Sequence, residues 1–329
     1  MQIRPGVESD IPAIVELVKM SLGEDTTIKT ESYWRWKHVD NPFGQSPVLL
    51  GFEGDQLVGI RAFMRWRWTN GEKIYESVRA VDTATHPDFR GKGTFKKLTM
   101  ALLEKCKDNG WDFVFNTPNK ISKPGYLKMG WTIAGRLPLT VNINHPLNVI
   151  MNFARRAKSA SETYPNGNIK EFLNKPGLAE LLIKSRDHFN GNLITAHSVE
   201  SLLWRYDKVT VKQYFACGLE ENNRLVALIF YRLKPGRAGN ELRITDIFAE
   251  HRRLKNAINA LVRDRVRLHN PDFVTVDSMN PWFSNALLLG LRGMPFGPVV
   301  TIRGISEKFD DTLHDFKKWR PSVGDLELF

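Results

Sequence analysis

The chain repeats one order of short segments, and this duplication constrains its fold more than any other feature. Five pairs of similar segments occur in the same order: "SYWRW" at 32–36 and "LLWRY" at 202–206, "GDQLVGIRAF" at 54–63 and "NNRLVALIFY" at 222–231, "RAVDTAT" at 79–85 and "RITDIFA" at 243–249, "WDFVF" at 111–115 and "PDFVT" at 271–275, "YLKMGW" at 126–131 and "LGLRGM" at 289–294. The offset changes slowly, from 170 to 168, 164, 160 and 163. Any single pair alone would be noise, but five in one order predict two copies of one structural unit.

The first copy has the periodicity of a mixed α/β unit. Helical spacing of apolar residues predicts helices after Ser9 and over 94–110, whereas alternation predicts a hairpin at Gly54-Asp55 and later strands. We therefore predict an α/β (α+β) fold of two similar domains, each a mixed, mostly antiparallel twisted sheet flanked by helices. We predict a last strand of the first sheet at 131–143 and helices at 147–158 and 168–186. The predicted domain organisation is a first domain at 1–145, a helical connector at 146–190 and a second domain at 191–329.

Composition excludes several classes of protein. No apolar run approaches the roughly 20 residues that a membrane-spanning helix needs. The two cysteines lie far apart, which excludes a disulfide framework and favours a reducing cytoplasm. The N-terminal segment lacks the features of a signal peptide. The formal net charge of +11 attracts polyanions, although scattered lysines and arginines are more often a solvated surface. We expect neither a nucleic-acid partner nor a metal; a homodimer is compatible with the sequence.

The stretch Arg90-Gly91-Lys92-Gly93 is typical of an anion-binding turn. It lies between a predicted strand and a predicted helix, so unpaired backbone N–H groups and the helix dipole converge there. Glycines let a ligand approach the backbone, and the cations supply countercharge. A diphosphate fits this chemistry, and an ordinary charged turn is the alternative. The stretch lacks the Gly-Lys-Ser/Thr of a Walker loop and the three glycines of a dinucleotide fingerprint.

Residues 83–131 resemble the GNAT superfamily of acyl-CoA-dependent N-acyltransferases. Arg90 and Gly93 match its motif Arg/Gln-x-x-Gly-x-Gly/Ala, with Pro87 upstream, but Phe95 stands where a small residue is usual. The matches to its following motif are Asn119, Ser122, Tyr126, Gly130 and Trp131. The resemblance covers roughly residues 1–145 and reaches 190–329 only through the repeat. The second copy has "HRRLKNAI" where the first has "RGKGTF", so we predict that it is degenerate and shapes the acceptor cleft.

The resemblance implies a site for acetyl-CoA as co-substrate. The pantetheine arm would pair with the strand at Ala84 and Thr85, and Asn119 and Ser122 would assist. The diphosphate would lie on the amides of Arg90, Gly91, Lys92, Gly93, Thr94 and Phe95. For Asn119, a role in the local turn is the alternative.

The resemblance also implies the catalytic groups. Tyr126 would protonate the leaving thiolate by direct transfer without a covalent enzyme intermediate; packing in the core is the alternative. Asp82 would accept the amine proton, although Asp246 matches it in the copy without the turn. The carboxylate of Phe329 is a further candidate base, because some double-domain members use the chain end. In that case "GDLELF" would enter the cleft as a strand; a strand that closes the second sheet is the alternative.

Tryptophans provide the one hint about the acceptor. Trp34 and Trp36 occupy elements that flank the acceptor site in this family, and Trp66 and Trp68 share one strand face. Core packing is the default role. A platform for a flat substrate, which with the basic charge suggests an amino sugar, is the functional alternative.

The leading hypothesis is therefore an N-acetyltransferase that acts on a primary amine of a small molecule. A Fem-type aminoacyl-tRNA-dependent transferase and a non-catalytic CoA-binding or scaffold protein are the alternatives. The sequence does not separate acetyl from longer acyl groups, or N-transfer from O-transfer.

Overall fold

The structure is a computed structural model that describes residues 1–23, 27–155, 168–283, 289–307, 309 and 311–327. Its strands are β1 (Gln2–Pro5), β2 (Val48–Glu53), β3 (Gln56–Thr69), β4 (Ile74–Thr85), β5 (Phe113–Asn116), β6 (Thr132–Arg136), β7 (Leu139–Ile143), β8 (Ile194–Thr195), β9 (Phe215–Glu221), β10 (Arg224–Gly236), β11 (Gly239–Ala249), β12 (Phe273–Asp277), β13 (Leu289–Met294) and β14 (Val299–Gly304). Its α-helices are α1 (Ile11–Leu22), α2 (Glu31–His38), α3 (Thr94–Asp108), α4 (Lys123–Lys128), α5 (Pro146–Arg155), α6 (Ile169–Leu173), α7 (Leu178–Asp187), α8 (Val199–Leu202), α9 (Lys255–His269) and α10 (Val323–Leu326).

The strands form two sheets with the same internal order. The first sheet runs β1-β2-β3-β4-β5-β14-β6, with β8 added beside β3, and the second runs β13-β7-β12-β11-β10-β9. Parallel pairing joins β4 to β5 and β11 to β12, whereas the other described strand pairs are antiparallel. The predicted fold class is confirmed: two mixed, mostly antiparallel sheets are flanked by helices.

Besides the short β8 beside β3, each sheet contains one strand from the other half of the chain. β14 lies between β5 and β6, with Thr301 opposite Asn116, and β7 lies between β12 and β13. The prediction of a single strand at 131–143 is therefore wrong, because Leu137 and Pro138 separate β6 from β7, and these two strands enter different sheets. The predicted boundary at residue 145 does not separate the two sheets. The first sheet contains β14, which follows that residue, and the second contains β7, which precedes it.

The two copies share detailed backbone contacts. Asp112 Oδ2 accepts a hydrogen bond from Glu76 N at 2.8 Å, and Asp272 Oδ2 accepts one from Asn240 N at 2.7 Å. The residues in these two contacts are related by the offsets of 164 and 160 seen in the third and fourth sequence matches. Each bond ties the start of a parallel strand to its neighbour, so these matches reflect equivalent structure.

Two of the five sequence matches are corrected by the structure. Trp36 and Trp204 form a reciprocal pair, in which each indole Nε1 donates to the other's backbone carbonyl, at 2.7 and 2.6 Å. The first match therefore has offset 168, the same as the second match, rather than 170. In the fifth match, residues 126–131 contain the end of α4, whereas 289–294 are strand β13.

The predicted connector contains elements that pack on the sheets. The helix expected at 168–186 is instead α6 and α7, because Gly177 between them has a φ of 86°. α7 packs on β10 and β11 as α1 packs on β3 and β4. The helix predicted at 147–158 corresponds to α5, and residues 156–167 lie outside the described residues. No helix in the described ranges has the length and apolar character needed to cross a membrane.

Three packed clusters hold the first sheet in place. One lies between the sheet and α3, with Phe63, Val78 and Leu102 at its centre. A second lies under α1 and includes Ile14 and Ile60. The third joins the two copies and is rich in tryptophan, so burial of apolar surface stabilises the copies as one body.

Candidate functional site

The turn after β4 has a backbone shape that only glycine adopts readily. Gly91 and Gly93 both have a φ of 78°, in the left-handed region, and Gly93 caps the N-terminus of α3. A Cβ built on either glycine meets no atom within 4 Å. The backbone of the turn therefore requires these glycines, and the space beside their Cα atoms is open.

The amides of this turn are unpaired. Among the described residues, no acceptor lies opposite the backbone N–H groups of Gly91, Lys92, Gly93 or Thr94. Lys96 and Lys97 are exposed on the first turn of α3. Arg90 donates to Ser21 O at 3.2 Å, and the Lys92 ammonium lies 4.3 Å from the centroid of the Phe89 ring. Free amides, a helix N-terminus and four cations together can bind a diphosphate.

A cleft opens beside this turn because β5 leaves β4. The two strands pair only from Ser77 to Arg79, whereas β4 continues on its other side as far as Thr85, opposite Gly59 on β3. Ala84 and Thr85 thus lie along the edge that β5 has left, although Thr85 N also donates to Ser21 Oγ at 3.3 Å. An extended, amide-rich ligand can pair with such an edge.

Tyr126 lies on the α3 side of this cleft. Its ring is buried edge-on against Phe95 and Trp131, at centroid distances of 5.5 and 5.2 Å. Phe95, which departs from the family motif, therefore supports the tyrosine. The Tyr126 hydroxyl accepts a hydrogen bond from Arg61 Nη2 at 2.7 Å.

Asp82 forms a bulge in β4 and is held by two basic residues of α2. The strand register skips it, since Arg61 pairs with Thr83 and Ala62 with Val81, and its φ is 38°. Lys37 Nζ and His38 Nε2 each lie 2.8 Å from Asp82 Oδ2. Asp82 therefore contacts α2 on one side of β4, whereas Tyr126 lies with α3 on the other side.

The pKa of Asp82 follows from this setting. Burial disfavours the carboxylate, but the charge of Lys37 and the hydrogen bond from His38 outweigh burial and lower the pKa of Asp82 well below its usual range. Burial also lowers the pKa of His38. A carboxylate with a strongly lowered pKa is a weak base, and the predicted role of Asp82 as proton acceptor stays a prediction.

Asn119 and Ser122 shape the entry to α4. Asn119 Oδ1 accepts from Ile121 N at 3.0 Å, from Ser122 N at 2.8 Å and from Ser122 Oγ at 3.0 Å. The Asn119 side chain thus fixes the turn that carries Tyr126 into place. Its predicted contact with the cofactor stays a prediction.

The predicted acceptor tryptophans are buried. Trp36 stacks on Trp204 at 4.8 Å between the two copies, and Trp34 packs against His38 at 4.1 Å in the cluster under α1. Trp66 and Trp68 are also buried in the cluster between the copies. The tryptophans consequently provide no open platform, and the sugar acceptor loses the observation that suggested it.

The last described residues, through Glu327, lie between the copies. Residues 323–326 form α10 rather than either predicted strand. Arg79 donates to the backbone carbonyls of Asp325, at 2.6 Å, and Leu326. Residue 328 and Phe329, the predicted alternative base, lie outside the described residues.

The described residues of the second copy include no turn equivalent to Arg90–Thr94. Leu254 caps α9 with a right-handed backbone, and the described residues 250–255 include no positive φ. The cleft beside β11 and β12 is lined by the acids Asp246, Asp277 and Asp325 and by the basic residues Arg186, His197 and Arg320. Burial and the charge of Asp325 raise the pKa of Asp246 to about 7. The absence of a left-handed turn at 250–255, rather than the charge of this cleft, therefore argues against a second acyl-CoA site.

Sequence reasoning missed Arg61, Lys37 and His38. Arg61 did leave a signal, because it interrupts the apolar run "LVGIRAF" within a strand that is otherwise buried. The sequence gives no comparable signal for Lys37 and His38, since basic residues at the end of a short helix are common.

Comparisons with known proteins agree with this geometry. Residues 2–134 match the family described as "Acetyltransferase (GNAT) domain". A curated relative, the L-amino acid N-acyltransferase MnaT of Escherichia coli (strain K12), is 24% identical over 147 residues, which are 42% of this chain and 83% of that protein.

Solved structures share the fold across both copies. A probable N-acyltransferase from Enterococcus faecalis V583 has a TM-score of 0.65 at 11% identity and covers 92% of this chain and 72% of its own. Saccharomyces cerevisiae N-myristoyltransferase with bound myristoyl-CoA has a TM-score of 0.55 at 11% identity and covers 100% of this chain and 89% of its own. Residues 2–134 thus match the GNAT acetyltransferase domain, and the solved structures share the fold of both copies.

Proposed function

We propose that the protein transfers an acetyl group from acetyl-CoA to the primary amine of a small molecule. The observation that carries this proposal is the open set of free amides at Gly91 to Thr94, beside four cations and the edge of β4. The diphosphate would bind the amides, and the pantetheine arm would run along Ala84 and Thr85. The thioester would then lie in the cleft near Tyr126.

The transfer needs one proton donor on the leaving side. The amine nitrogen forms a bond to the thioester carbonyl carbon, the carbon–sulfur bond breaks, and the electron pair goes to sulfur. The Tyr126 hydroxyl would supply the proton to sulfur, while the amine nitrogen loses one. Asp82 would keep the β4 bulge in place through Lys37 and His38.

The acceptor is best sought among primary amines of several classes. The name of the curated relative supports L-amino acids as the first class to assay, with amino sugars, polyamines and peptides next. We also propose that the second copy bounds the acceptor side of the cleft, since Arg79 and Thr117, which flank that cleft, contact α10, which packs on β11. A cytoplasmic location and compatibility with a homodimer stay predictions.

The test of the cofactor site is binding of acetyl-CoA to Gly93→Asp, measured as a thermal shift. Gly110→Asp is the matched control, because Gly110 has a φ of 70° and lies at the other end of α3, also in open space. Both variants should lose similar stability. Only Gly93→Asp should lose the shift with acetyl-CoA, because its carboxylate occupies the diphosphate position.

Thiol release with the acceptor panel then tests the reaction. Tyr126→Phe should lower kcat by roughly 10²-fold, the lower end of what a general acid contributes, with little change in KM for acetyl-CoA. An unchanged thermal shift in Gly93→Asp would remove the proposed cofactor site. Steep, salt-dependent binding of charged tRNA without binding of CoA would favour the aminoacyl-tRNA alternative.

A further inference from the structure

Arg61 is a buried cation whose described partners include no carboxylate. It lies on β3 and is 0% exposed. Its hydrogen bonds within the described part of the chain go to Val81 O at 3.2 Å, to Thr83 Oγ1, and to the Tyr126 hydroxyl at 2.7 Å. Its Nε is buried and has no partner there.

Burying the guanidinium of Arg61 without a carboxylate partner among the described residues costs folding free energy. Removing a charge from water costs several kcal/mol unless an opposite charge compensates. The rings of Phe63, Phe95 and Tyr126, at 4.7, 5.6 and 5.4 Å from the guanidinium carbon, offset part of that cost through cation–π contacts. The setting therefore favours an anion that forms beside Arg61 during the reaction.

The direction of the hydrogen bond matters for Tyr126. Arginine has donors and no acceptor, so in this bond the tyrosine oxygen accepts. The proton of the Tyr126 hydroxyl is therefore not used in this contact and remains available to a third group. After that proton leaves, the phenolate oxygen stays 2.7 Å from the guanidinium nitrogen.

Arg61 also ties Tyr126 to the bulge in β4. Its bonds to Val81 O and Thr83 Oγ1 bracket Asp82, the residue that the strand register skips. The bulge, Arg61 and the tyrosine oxygen are thus linked by direct contacts. A shift of the guanidinium would move the hydroxyl relative to the cleft.

We propose that Arg61 is a positioning residue that makes Tyr126 an effective acid. It orients the hydroxyl proton toward the leaving sulfur and stabilises the phenolate that proton transfer leaves behind. As the carbon–sulfur bond breaks, the proton passes from the Tyr126 oxygen to sulfur, and the proton lost by the amine nitrogen restores the phenol through solvent. This inference rests on the proposed acyl transfer and adds a residue that the family motif does not contain.

The experiment is a double-mutant cycle on kcat with acetyl-CoA and an accepted amine. The variants are Arg61→Gln, Tyr126→Phe and the double variant, with Arg61→Lys as the conservative change. Arg79→Gln is the matched control, because Arg79 is also 0% exposed but contacts Asp325 and Leu326 rather than Tyr126. Thermal unfolding and the dissociation constant for acetyl-CoA are measured for each variant.

Arg61→Gln should lower kcat roughly 10- to 100-fold in the wild-type background, less than the roughly 10²- to 10³-fold loss of a donor that contacts the reacting atoms directly. In the Tyr126→Phe background the same change should lower kcat less than 3-fold, because the group on which Arg61 acts is gone. Arg61→Lys should recover part of the rate. Any effect of Arg79→Gln should have the same size in both backgrounds.

Equal losses from Arg61→Gln in the two backgrounds would overturn the proposal, since Arg61 would then be merely structural. Wild-type kcat in Arg61→Gln would overturn it as well. If Arg61→Gln does not fold, the same cycle is run with Arg61→Lys, which keeps the charge. Failure of the proposed function is distinguishable, because the wild-type protein itself would then release no thiol with any acceptor.

Discussion

At the scale of single residues, the buried acids of the second copy make a pH-dependent contribution to stability. Burial, and next the charge of Asp246, raise the pKa of Asp277 to about 7. An unfolded aspartate has a pKa of about 3.9. Because the folded value is the higher one, the stability that Asp277 contributes is complete below about pH 4 and is lost as the pH rises through about 7.

The variant Asp277→Asn isolates this contribution, since its amide stays neutral at every pH. Its free energy of unfolding should exceed that of the wild type at pH 8, and the difference should shrink toward pH 4. Urea titrations over that range measure both proteins, with exposed Asp88→Asn as the control. A difference that does not vary with pH would show that Asp277 is not a buried neutral acid.

Whether the sequence predicts a site residue depends on how close along the chain its partners lie. The turn at Arg90 to Phe95 could be predicted, because its glycines, cations and helix start lie within one short stretch. The contacts of Arg61 could not, since Tyr126 lies 65 positions away. For the same reason the sequence does not predict that the Trp36 ring stacks on Trp204 from the second copy.

At the scale of elements, the exchange of β7 and β14 makes each sheet depend on both halves of the chain. The duplicated order of strands could be predicted, but the destination of the last strands could not. β7 and β14 are short strands of similar apolar pattern, LTVNI and VVTIRG, so either could fill either sheet. Long-range pairing, rather than local propensity, decides such a choice.

The exchange predicts the behaviour of a fragment. Residues 1–145 include the whole family match at 2–134 but lack β14, which pairs with both β5 and β6. Without β14 those strands have unpaired edges, so the fragment should show no cooperative thermal unfolding by circular dichroism. Co-expression with 146–329 should restore a folded complex. A cooperative transition in the isolated fragment would contradict the structural importance of the exchange.

At the scale of the whole molecule, two equivalent folds meet with unequal clefts. Trp36 and Trp204 make the same hydrogen bond to each other, so the two copies are related by a local two-fold axis at this contact. The first copy has left-handed glycines in the turn before α3, whereas the described residues 250–255, at the matching place in the second copy, have no positive φ. The molecule should therefore bind one acyl-CoA per chain.

A crystal structure of the protein with bound coenzyme A tests this account most directly. We predict one ligand per chain, with its diphosphate on the amides of Gly91 to Thr94 and its sulfur facing the Tyr126 hydroxyl. A ligand between β11 and β12, or one bound without contact to those amides, would contradict the account.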